Sequence, residues 1–229
     1  MFKRFLEKFT SGNTLYYPGC MAKYVLKDLE KNYMEILRKL NIEFIMLKDL
    51  EFCCGSPVLK AGFPKDFNNL IDKNLENFKR HSISRIITNC PGCYNIFLNN
   101  YNIKVEHTTQ VIWKNIEKLK LKSFNEKITY HDPCHLGRYS DIYEEPRLIL
   151  KALDFEIIES KKNKENTLCC GAGGGLRNNA SKISSKIAKL RLKDVPAKKL
   201  ITCCPMCYYH LKENTSDGIE VLELSQVLL

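Results

Sequence analysis

The stretch "EFCCGSP" at residues 51–57 sets two cysteines side by side before a glycine, and "LCCGAG" at 168–173 does so again. Adjacent residues cannot easily aim both side chains at one atom, and adjacent cysteines fit the usual disulfide geometry poorly. Each pair therefore suits a site with several metal atoms, in which the two sulfurs bind different ones. A following Gly55 or Gly171 would let the backbone approach that site closely.

The two pairs are part of an internal repeat, in which the second half of the chain follows the first at an offset of about 114 residues. "TLYYPGC" at 14–20 returns as "ITYHDPC" at 128–134. "TNCPGC" at 88–93 returns as "TCCPMC" at 202–207. The chain is therefore predicted to contain one domain twice.

The duplication predicts a first domain over residues 1–119, with a short N-terminal extension over 1–13, and a second domain over 120–229. In each half, short apolar runs alternate with amphipathic stretches. This alternation favours α/β units on a parallel sheet. We therefore predict an α/β fold made of two similar parallel-sheet domains related by pseudo-twofold symmetry.

In the first half, the spacing of Val25, Leu29, Tyr33 and Leu37 predicts a helix over residues 21–40. Apolar runs bounded by polar or turn residues predict the strands. The other predicted elements are strands at "TLYYP" (14–18), "IEFIML" (42–47), "RIITN" (85–89) and "KVEHTT" (104–109), and helices over 66–82 and after Cys93.

Eleven cysteines and a formal net charge of +10 in 229 residues narrow the function further. The lysines are scattered among acidic residues rather than grouped in a basic block, which disfavours nucleic-acid binding. The chain has no run long and apolar enough for direct membrane insertion, and its N-terminus does not resemble a secretory signal. We therefore expect a cytoplasmic protein. In a reducing cytosol, so many thiols are more often metal ligands or redox centres than disulfides.

Four of the cysteines follow the ends of predicted strands: Cys20, Cys90, Cys134 and Cys204. Because open parallel sheets build their sites at the carboxyl ends of strands, thiols far apart in sequence can meet there. A proline follows Cys90 and Cys204 at the first position of a predicted helix, so both would lie at a helix N-terminus. Asp132 is a candidate cap for a similar helix start before Cys134. Free amides and the helix dipole favour the thiolate that a metal needs.

Each half thus offers five thiols, which is more than the four ligands of a structural zinc site. The tight cysteine run of bacterial ferredoxins is absent, which disfavours a ferredoxin-type cubane. Cys203 aligns with Asn89 in the repeat and is predicted to be a neighbour rather than a ligand. The predicted metal ligands are Cys20, Cys53, Cys54, Cys90, Cys93, Cys134, Cys169, Cys170, Cys204 and Cys207.

The order of a single cysteine, a CCG triplet and a C-x-x-C pair, present twice, resembles the CCG (cysteine-rich) domain family. "YHDPCHLGR" at 130–138 and "CCGAGGG" at 169–175 are also typical of that family. Its best-known member is the catalytic subunit of heterodisulfide reductases. The resemblance implies that each five-cysteine set holds a non-cubane [4Fe–4S] cluster, and that a disulfide is cleaved between the two clusters by one-electron steps. Some relatives keep zinc at the first site, so zinc is an alternative there.

Related domains also form the iron–sulfur subunits of glycolate oxidase and of anaerobic glycerol-3-phosphate dehydrogenase. The resemblance therefore leaves two functions open. The chain could be an oxidoreductase subunit of the disulfide reductase type, with a small disulfide or thiol as its substrate. It could instead be an electron-transfer subunit of a flavin-dependent dehydrogenase, with no substrate site of its own. Because about 13 residues precede the first motif, we expect electrons to arrive from a ferredoxin-like or flavin-containing partner subunit.

His131 and His135 flank Cys134 and are candidate proton donors to a departing thiolate or hydrogen-bond donors to a cluster sulfur. Capping and packing would explain these two histidines equally well. Cations that follow cysteines could steer an anionic substrate, although solvated surface charge is the alternative for them. These candidate substrate residues are Lys23, Arg138 and Arg177.

The glycine-rich stretch "GAGGGLR" at 171–177 could be mistaken for a phosphate loop. However, no Gly-Lys-Ser/Thr follows it, and the first half has no equivalent stretch. We therefore expect Gly173, together with Gly55 and Gly171, to pack close to a bound cofactor.

Overall fold

Two α/β halves with parallel sheets make up the computed structural model, which describes residues 12–215 and 218–229. These halves correspond to the two copies of the repeat, so the predicted α/β duplication is confirmed. The extension predicted over residues 1–13 lies outside the described residues except for its last two. The division into two domains at residue 120 stays a prediction, since apolar residues of both halves share one core.

The first half is built on a three-stranded parallel sheet in the order β1–β2–β3. Its register pairs Tyr17 with Thr88 and Thr88 with His107, so the carboxyl ends of all three strands lie along one edge. Its elements are β1 (Asn13–Tyr17), α1 (Lys27–Lys39), α2 (Ser56–Lys60), α3 (Pro64–Arg80), β2 (Ile83–Thr88), α4 (Pro91–Asn100), β3 (Lys104–His107) and α5 (Thr108–Trp113).

The helix predicted over residues 21–40 is in fact two elements. Residues Met21–Val25 form a π-helical turn, and α1 begins only after Leu26, whose φ of −112° and ψ of 56° are not helical. Leu29 and the later predicted positions are buried, whereas Val25 is 52% exposed. The apolar face therefore begins one turn later than predicted, because the first turn belongs to the segment that carries Cys20.

The strand predicted at residues 42–47 is wrong. Only Ile45 pairs with β1, in a single parallel bridge to Leu15. Two backbone hydrogen bonds make this bridge, from the Tyr16 amide to the Ile45 carbonyl at 3.0 Å and from the Ile45 amide to the Thr14 carbonyl at 2.9 Å. The apolar run instead contributes side chains that pack against the core.

The second half is built on a four-stranded parallel sheet in the order β5–β4–β6–β7. Its first long helix and its last short helix occupy the same places in the repeat as α1 and α5. The elements are β4 (Lys127–Tyr130), α6 (Glu144–Ala152), β5 (Glu156–Ile157), α7 (Leu176–Asn179), α8 (Ser181–Lys193), β6 (Lys199–Thr202), α9 (Pro205–Asn214), β7 (Glu220–Glu223) and α10 (Leu224–Leu228).

Each half ends in a short helix that packs on the first long helix of the other half. Helix α10 contacts α1, and α5 contacts α6. At the first of these contacts, the Tyr33 hydroxyl donates a 2.6 Å hydrogen bond to the buried Glu223 carboxylate. Asn32 donates to the Ser225 hydroxyl at 3.4 Å. This reciprocal packing is what a pseudo-twofold arrangement produces, and it joins the halves through a buried interface.

Among the described helices, none combines the length and the apolar character that crossing a membrane would require.

Candidate metal centres

The five predicted thiols of the first half come together at the carboxyl edge of its sheet. The thiols of Cys53 and Cys54, of Cys54 and Cys93, and of Cys93 and Cys90 are close enough to shift one another's pKa. Partial desolvation raises the pKa of Cys20, and the neighbouring Cys90 and Cys54 raise it further. Cys20 and Cys53 are exposed, whereas Cys54 and Cys93 are buried. The first set therefore presents part of its sulfur surface to solvent.

The second half groups its five thiols in the same way. The thiols of Cys134 and Cys169, of Cys169 and Cys170, and of Cys207 with both Cys170 and Cys204 are close enough to shift one another's pKa. The sulfurs of Cys170 and Cys207 are 3.3 Å apart. The described cysteines form no disulfides. The structure thus brings together the two predicted sets of five thiols, and the metal-binding role of each thiol stays a prediction.

Cys90 and Cys204 are the N-cap residues of α4 and α9, and a proline takes the first helical position after each. The pKa of Cys90 is lowered because Cys93 donates a hydrogen bond to its sulfur, and because the amides of Cys93 and Gly92 also point at it. The amides at the start of α4 therefore favour the thiolate of Cys90, whereas neither Cys90 nor Cys204 makes a side-chain capping hydrogen bond.

The helix cap predicted at Asp132 is wrong. Residues 134–140 form turns rather than a helix. The buried Asp132 carboxylate accepts two hydrogen bonds from Arg147, at 2.7 and 2.9 Å. It also accepts from the Lys164 amide and the Thr167 hydroxyl. A bidentate guanidinium is a stronger partner for a buried carboxylate than a free amide, so Asp132 turns toward Arg147.

Gly55 and Gly171 have φ angles of +92° and +89°, in the left-handed region that favours glycine. The amide of each donates to the first sulfur of the adjacent cysteine pair, at 3.4 and 3.3 Å. A Cβ on Gly55 would lie 2.5 Å from the Phe67 ring, and one on Gly171 would lie 2.7 Å from the Ser184 carbonyl oxygen. Backbone conformation and helix packing thus require these glycines, and their approach to a cofactor stays a prediction.

Sequence reasoning missed Gly19, which lies directly against the first set of sulfurs. Its φ is +74°, and a Cβ there would lie 3.1 Å from the Cys90 Cβ and 3.2 Å from the Cys93 sulfur. The second half has Pro133 at the equivalent position, so the repeat does not mark it. The lack of a side chain at Gly19 leaves room beside the thiols.

A cavity of about 510 Å³ opens beside the second set of thiols. Cys134 and Cys169 line it, and so does Gly173, where a Cβ would meet no atom within 4 Å. The first half contributes Lys60 and Asn95. Neither of these two was a sequence candidate, because nothing in their local sequence places them beside cysteines of the other half.

His135 connects the two halves at this cavity. Lys60 donates a hydrogen bond to its Nε2, and its Nδ1 lies 3.3 Å from the Cys134 sulfur. A ring nitrogen that accepts from an ammonium leaves the proton on the other nitrogen, so Nδ1 can donate to the sulfur. Burial, and then the charge of Lys60, lower the pKa of His135 to about 4. The imidazole is therefore neutral at pH 7.

His131 is buried, and Arg191 donates to its Nδ1 at 3.0 Å. Its Nε2 has no hydrogen-bond partner among the described residues. One of its ring nitrogens and the sulfurs of Cys170 and Cys207 all lie within 4.8 Å of one another. Burial, and then the charge of Arg191, lower the pKa of His131 to about 3, so it is neutral as well.

The three cations that the sequence proposes for a substrate already have partners within the chain. Lys23 forms an ion pair with Glu51 at 3.6 Å. Arg177 forms one with Glu213 at 2.6 Å. Arg138 donates to two backbone carbonyls at 3.0 and 3.2 Å. None of the three lines the described cavity, and their role with a substrate stays a prediction.

Cys203 stands apart from the ligand sets. It is fully buried, and its sulfur lies 2.9 Å from the Tyr130 hydroxyl. Its repeat counterpart Asn89 accepts from the Tyr16 hydroxyl at 3.1 Å. Tyr16 and Tyr130 are equivalent in the repeat, and each contacts the equivalent residue of its own half, Asn89 or Cys203. This agrees with a packing role for Cys203.

The family model for the cysteine-rich domain, CCG, matches residues 14–97 and 128–212. Each match contains one complete set of five thiols. The chain belongs to the CCG cysteine-rich domain family. The resemblance stated from the sequence is therefore confirmed, and it covers both halves of this CCG-family chain.

Named relatives of this CCG chain are iron–sulfur and redox proteins. It is 34% identical to an uncharacterized iron–sulfur protein of Methanocaldococcus jannaschii, over 87% of this chain and 41% of that protein. It is 33% identical to one of the subunits of dihydromethanophenazine:CoB–CoM heterodisulfide reductase from Methanosarcina acetivorans, over 92% of this chain and 55% of that protein. It is 31% identical to the EtfAB:quinone oxidoreductase of Syntrophomonas wolfei, over 93% of this chain and 32% of that protein. The chain thus spans about half, or less, of each relative's length.

Among solved structures, the aspartate racemase of Picrophilus torridus is similar over 95% of this chain and 91% of its own. The sequence identity is 12% and the TM-score is 0.40. A similarity this weak carries no functional argument.

Proposed function

We propose that this chain is an iron–sulfur redox subunit that reduces a small disulfide in the cavity beside its second set of thiols. Each five-thiol set would hold a non-cubane [4Fe–4S] cluster. The two clusters would supply single electrons when bound. Overall, two electrons and two protons convert the disulfide into two thiols.

The geometry of the chain fits such clusters in three ways. Five sulfurs converge in each half, which is more than a single zinc ion can use. Glycine amides donate to the sulfurs of Cys53 and Cys169, and the amides at the start of α4 lower the pKa of Cys90, so both would stabilise thiolates. Gly19 leaves space beside the first set, and the buried His131 Nε2 lacks an acceptor among the described residues beside the second set.

The observation that carries the disulfide proposal is the cavity itself. Two of the second set's thiols, Cys134 and Cys169, line it, and the first half contributes Lys60 and Asn95 to the lining. Lys60 can pair with an anionic group of a bound substrate. His135 holds a proton on Nδ1 beside the Cys134 sulfur, and Lys60 is in contact with its other nitrogen. These groups can bind the substrate and supply a proton to a thiolate product.

The first test is the iron, sulfide and zinc content per chain of anaerobically purified protein. We expect about eight irons and eight sulfides per chain. Electron paramagnetic resonance after oxidation with excess thiol should show a signal that changes with the thiol. Zinc with negligible iron and sulfide would contradict the redox function and leave a structural module.

The second test closes the cavity without touching a thiol. The φ of Gly173 is not in the left-handed region, and a side chain there would point into open space. Gly173→Phe should therefore keep the iron content but lose most of the disulfide reduction driven by a low-potential dye. Asn178→Leu, exposed nearby on α7 and outside the cavity, is the matched control. Full activity in Gly173→Phe would contradict a substrate site in this cavity.

One observation favours a second candidate, an electron-transfer subunit of a flavin-dependent dehydrogenase. The first set exposes Cys20 and Cys53, and the exposed Tyr24, Val25 and Phe52 are close to them in sequence. Such a surface suits a redox partner that covers the thiols. If no disulfide is reduced while the chain still passes electrons between a flavoprotein and a dye, this candidate replaces the first.

A further inference from the structure

The guanidinium of Arg191, a residue of helix α8, is fully buried near the second set of thiols. The side chain is 0% exposed. It donates to His131 at 3.0 Å and to the Ser160 hydroxyl at 2.9 Å, while the Asp194 carboxylate is 3.8 Å away and partly exposed. Its Nη2 has no partner among the described residues. A buried charge with mostly neutral partners destabilises the fold, so packing alone does not account for Arg191.

The contact with Arg191 determines which nitrogen of His131 carries the proton. A guanidinium can only donate, so His131 Nδ1 must accept and the proton lies on Nε2. No described residue accepts that proton, one of the ring nitrogens lies within 4.8 Å of the sulfurs of Cys170 and Cys207, and Cys169 is also near the ring. His131 therefore presents a neutral N–H donor to whatever these thiols bind, with a positive charge directly behind it.

The first half has neither a histidine nor an arginine at the positions equivalent to His131 and Arg191. The repeat counterpart of His131 is Tyr17, whose hydroxyl donates to the Phe52 carbonyl at 2.8 Å. In α3, Phe67 faces Gly55 as Ser184 in α8 faces Gly171. Seven residues after Phe67, at the position that corresponds to Arg191, α3 has Asn74. The neutral side-chain amide of Asn74 donates to the Cys53 carbonyl and to the Tyr101 hydroxyl.

The carboxylates near the two sites are each paired with a cation. Glu51 lies next to the first cysteine pair with its side chain 6% exposed, and the repeat places the neutral Thr167 at the same position in the second half. Near the second set, the Asp132 carboxylate is paired with Arg147, which also binds Glu159. Glu51 is itself paired with Lys23 at 3.6 Å, so the carboxylate near each set has a cationic partner, and the charge that distinguishes the second set is that of Arg191.

We propose that Arg191 is a positioning residue that acts through His131 to make the second centre easier to reduce than the first. Reduction adds one negative charge to a cluster, and a nearby cation and N–H donor to sulfur stabilise that charge. One electron given to the first centre by a low-potential donor would therefore pass to the second centre beside the cavity. The first centre is reoxidised in that transfer, and no bond or proton changes. The inference rests on the proposed occupancy of both thiol sets by iron–sulfur clusters.

The test is a redox titration of the intact, cluster-loaded chain, followed by electron paramagnetic resonance. We expect the second centre to have the higher midpoint potential. In Arg191→Met its reduction equilibrium should shift at least tenfold toward the oxidised state, or about 59 mV for one electron. Arg191→Lys keeps the charge and should give an intermediate value. Asn74→Met, the matched change in the first half, should leave the second centre's potential unchanged.

A spectroscopic readout tests the route through His131. With ¹⁵N-histidine in the protein, the second centre's paramagnetic state should show a nitrogen hyperfine coupling from His131 in addition to that from His135 beside Cys134. The His131 coupling should disappear in His131→Phe and weaken in Arg191→Met, while the His135 coupling persists. Equal potentials for the two centres, or an unchanged second potential in Arg191→Met at full iron content, would overturn the inference. So would the absence of the His131 coupling in the wild type.

Failure of the inference and failure of the proposed function give different results. If the chain binds no iron and sulfide, the proposed function fails and the inference fails with it. If two centres form and a disulfide is reduced but the potentials do not respond to Arg191, only the inference fails.

Discussion

The two halves hold their thiols alike and surround them differently. In both, a strand end, a cysteine pair before a short turn or helix, and a proline-started helix bring five sulfurs together. Around the sulfurs, the first half has Tyr17 and Glu51 where the second has His131 and Thr167. The repeat thus retains the positions that hold sulfur and varies the groups that set charge and access. Duplication can in this way make two similar centres that do different tasks.

The strongest test of this comparison removes one sulfur from a single half. Cys170→Ser deletes a thiol that is hydrogen-bonded to Cys207 and that shifts the pKa of Cys169, so the second centre should be lost and the first retained. Iron per chain should fall by about half, since the proposed centres contain four irons each. Cys54→Ser should do the reverse, and the two variants should leave different paramagnetic signals.

Cys203→Ser is the matched control for the sulfur deletions, because the Cys203 thiol is hydrogen-bonded to the Tyr130 hydroxyl and is not one of the ten predicted ligands. It should keep the full iron content. A Cys170→Ser protein without any iron would show that the two centres do not assemble independently.

The glycines after the cysteine pairs should matter more for folding than other glycines with positive φ. In Gly171→Ala, the left-handed φ and a Cβ 2.7 Å from the Ser184 carbonyl oxygen should together cost about 3 to 4 kcal/mol in the free energy of unfolding. Gly62→Ala has a similar φ of +86° and no atom within 4 Å, so its cost should be about 1 kcal/mol. Denaturant unfolding of the two variants measures the difference, and equal losses would show that backbone strain alone matters.

The caps of the last helices should give the halves opposite pH dependences. Burial raises the pKa of Glu223 to about 7, so its folded carboxyl binds more protons than the unfolded one between about pH 4.5 and 7. Stability should therefore fall by up to about 3 kcal/mol as the pH rises through that window. Burial lowers the pKa of its repeat counterpart His107 to about 3, so that contribution is lost as the pH falls below about 6.5.

The comparison uses Glu223→Gln and His107→Gln, with unfolding measured from pH 4.5 to 8. The neutral phenols of Tyr16 and Tyr33 and the thiol of Cys203 face Glu223, and none of them titrates in that range because burial raises the pKa of each. Glu223→Gln should flatten the loss of stability toward pH 7, whereas His107→Gln should flatten the loss toward low pH. Identical pH profiles for both variants would contradict the assignment of the two pH dependences to Glu223 and His107.

The smallest expected effect concerns the contribution of the first half to the second half's cavity. Lys60 is exposed to solvent, so Lys60→Ala should raise the KM for an anionic disulfide by about two- to fivefold. The KM for a neutral disulfide should not change, and neither should that of Lys65→Ala, an exposed lysine at the start of α3. An equal effect on anionic and neutral substrates would assign Lys60 to orienting His135 instead.

Much of the architecture could be predicted from the sequence, because the repeat and the cysteine spacing are local, periodic signals. These predicted the duplicated α/β fold, the grouping of ten thiols into two sets, and the helix starts at Cys90 and Cys204. The errors arose where tertiary contacts decided local structure. Asp132 pairs with Arg147 instead of capping a helix, and Ile45 makes a single bridge instead of a strand.

The amino-acid sequence by itself determined how many sulfurs each half carries and that they follow strand ends, because these depend on residue type and spacing. Only the tertiary structure decided which groups surround the sulfurs. Lys60 reaches His135 across 75 residues of chain, and Arg191 reaches His131 across 60. Contacts over such separations depend on how helices are placed against the sheets and against the other half. No pattern of neighbouring residues encodes that placement.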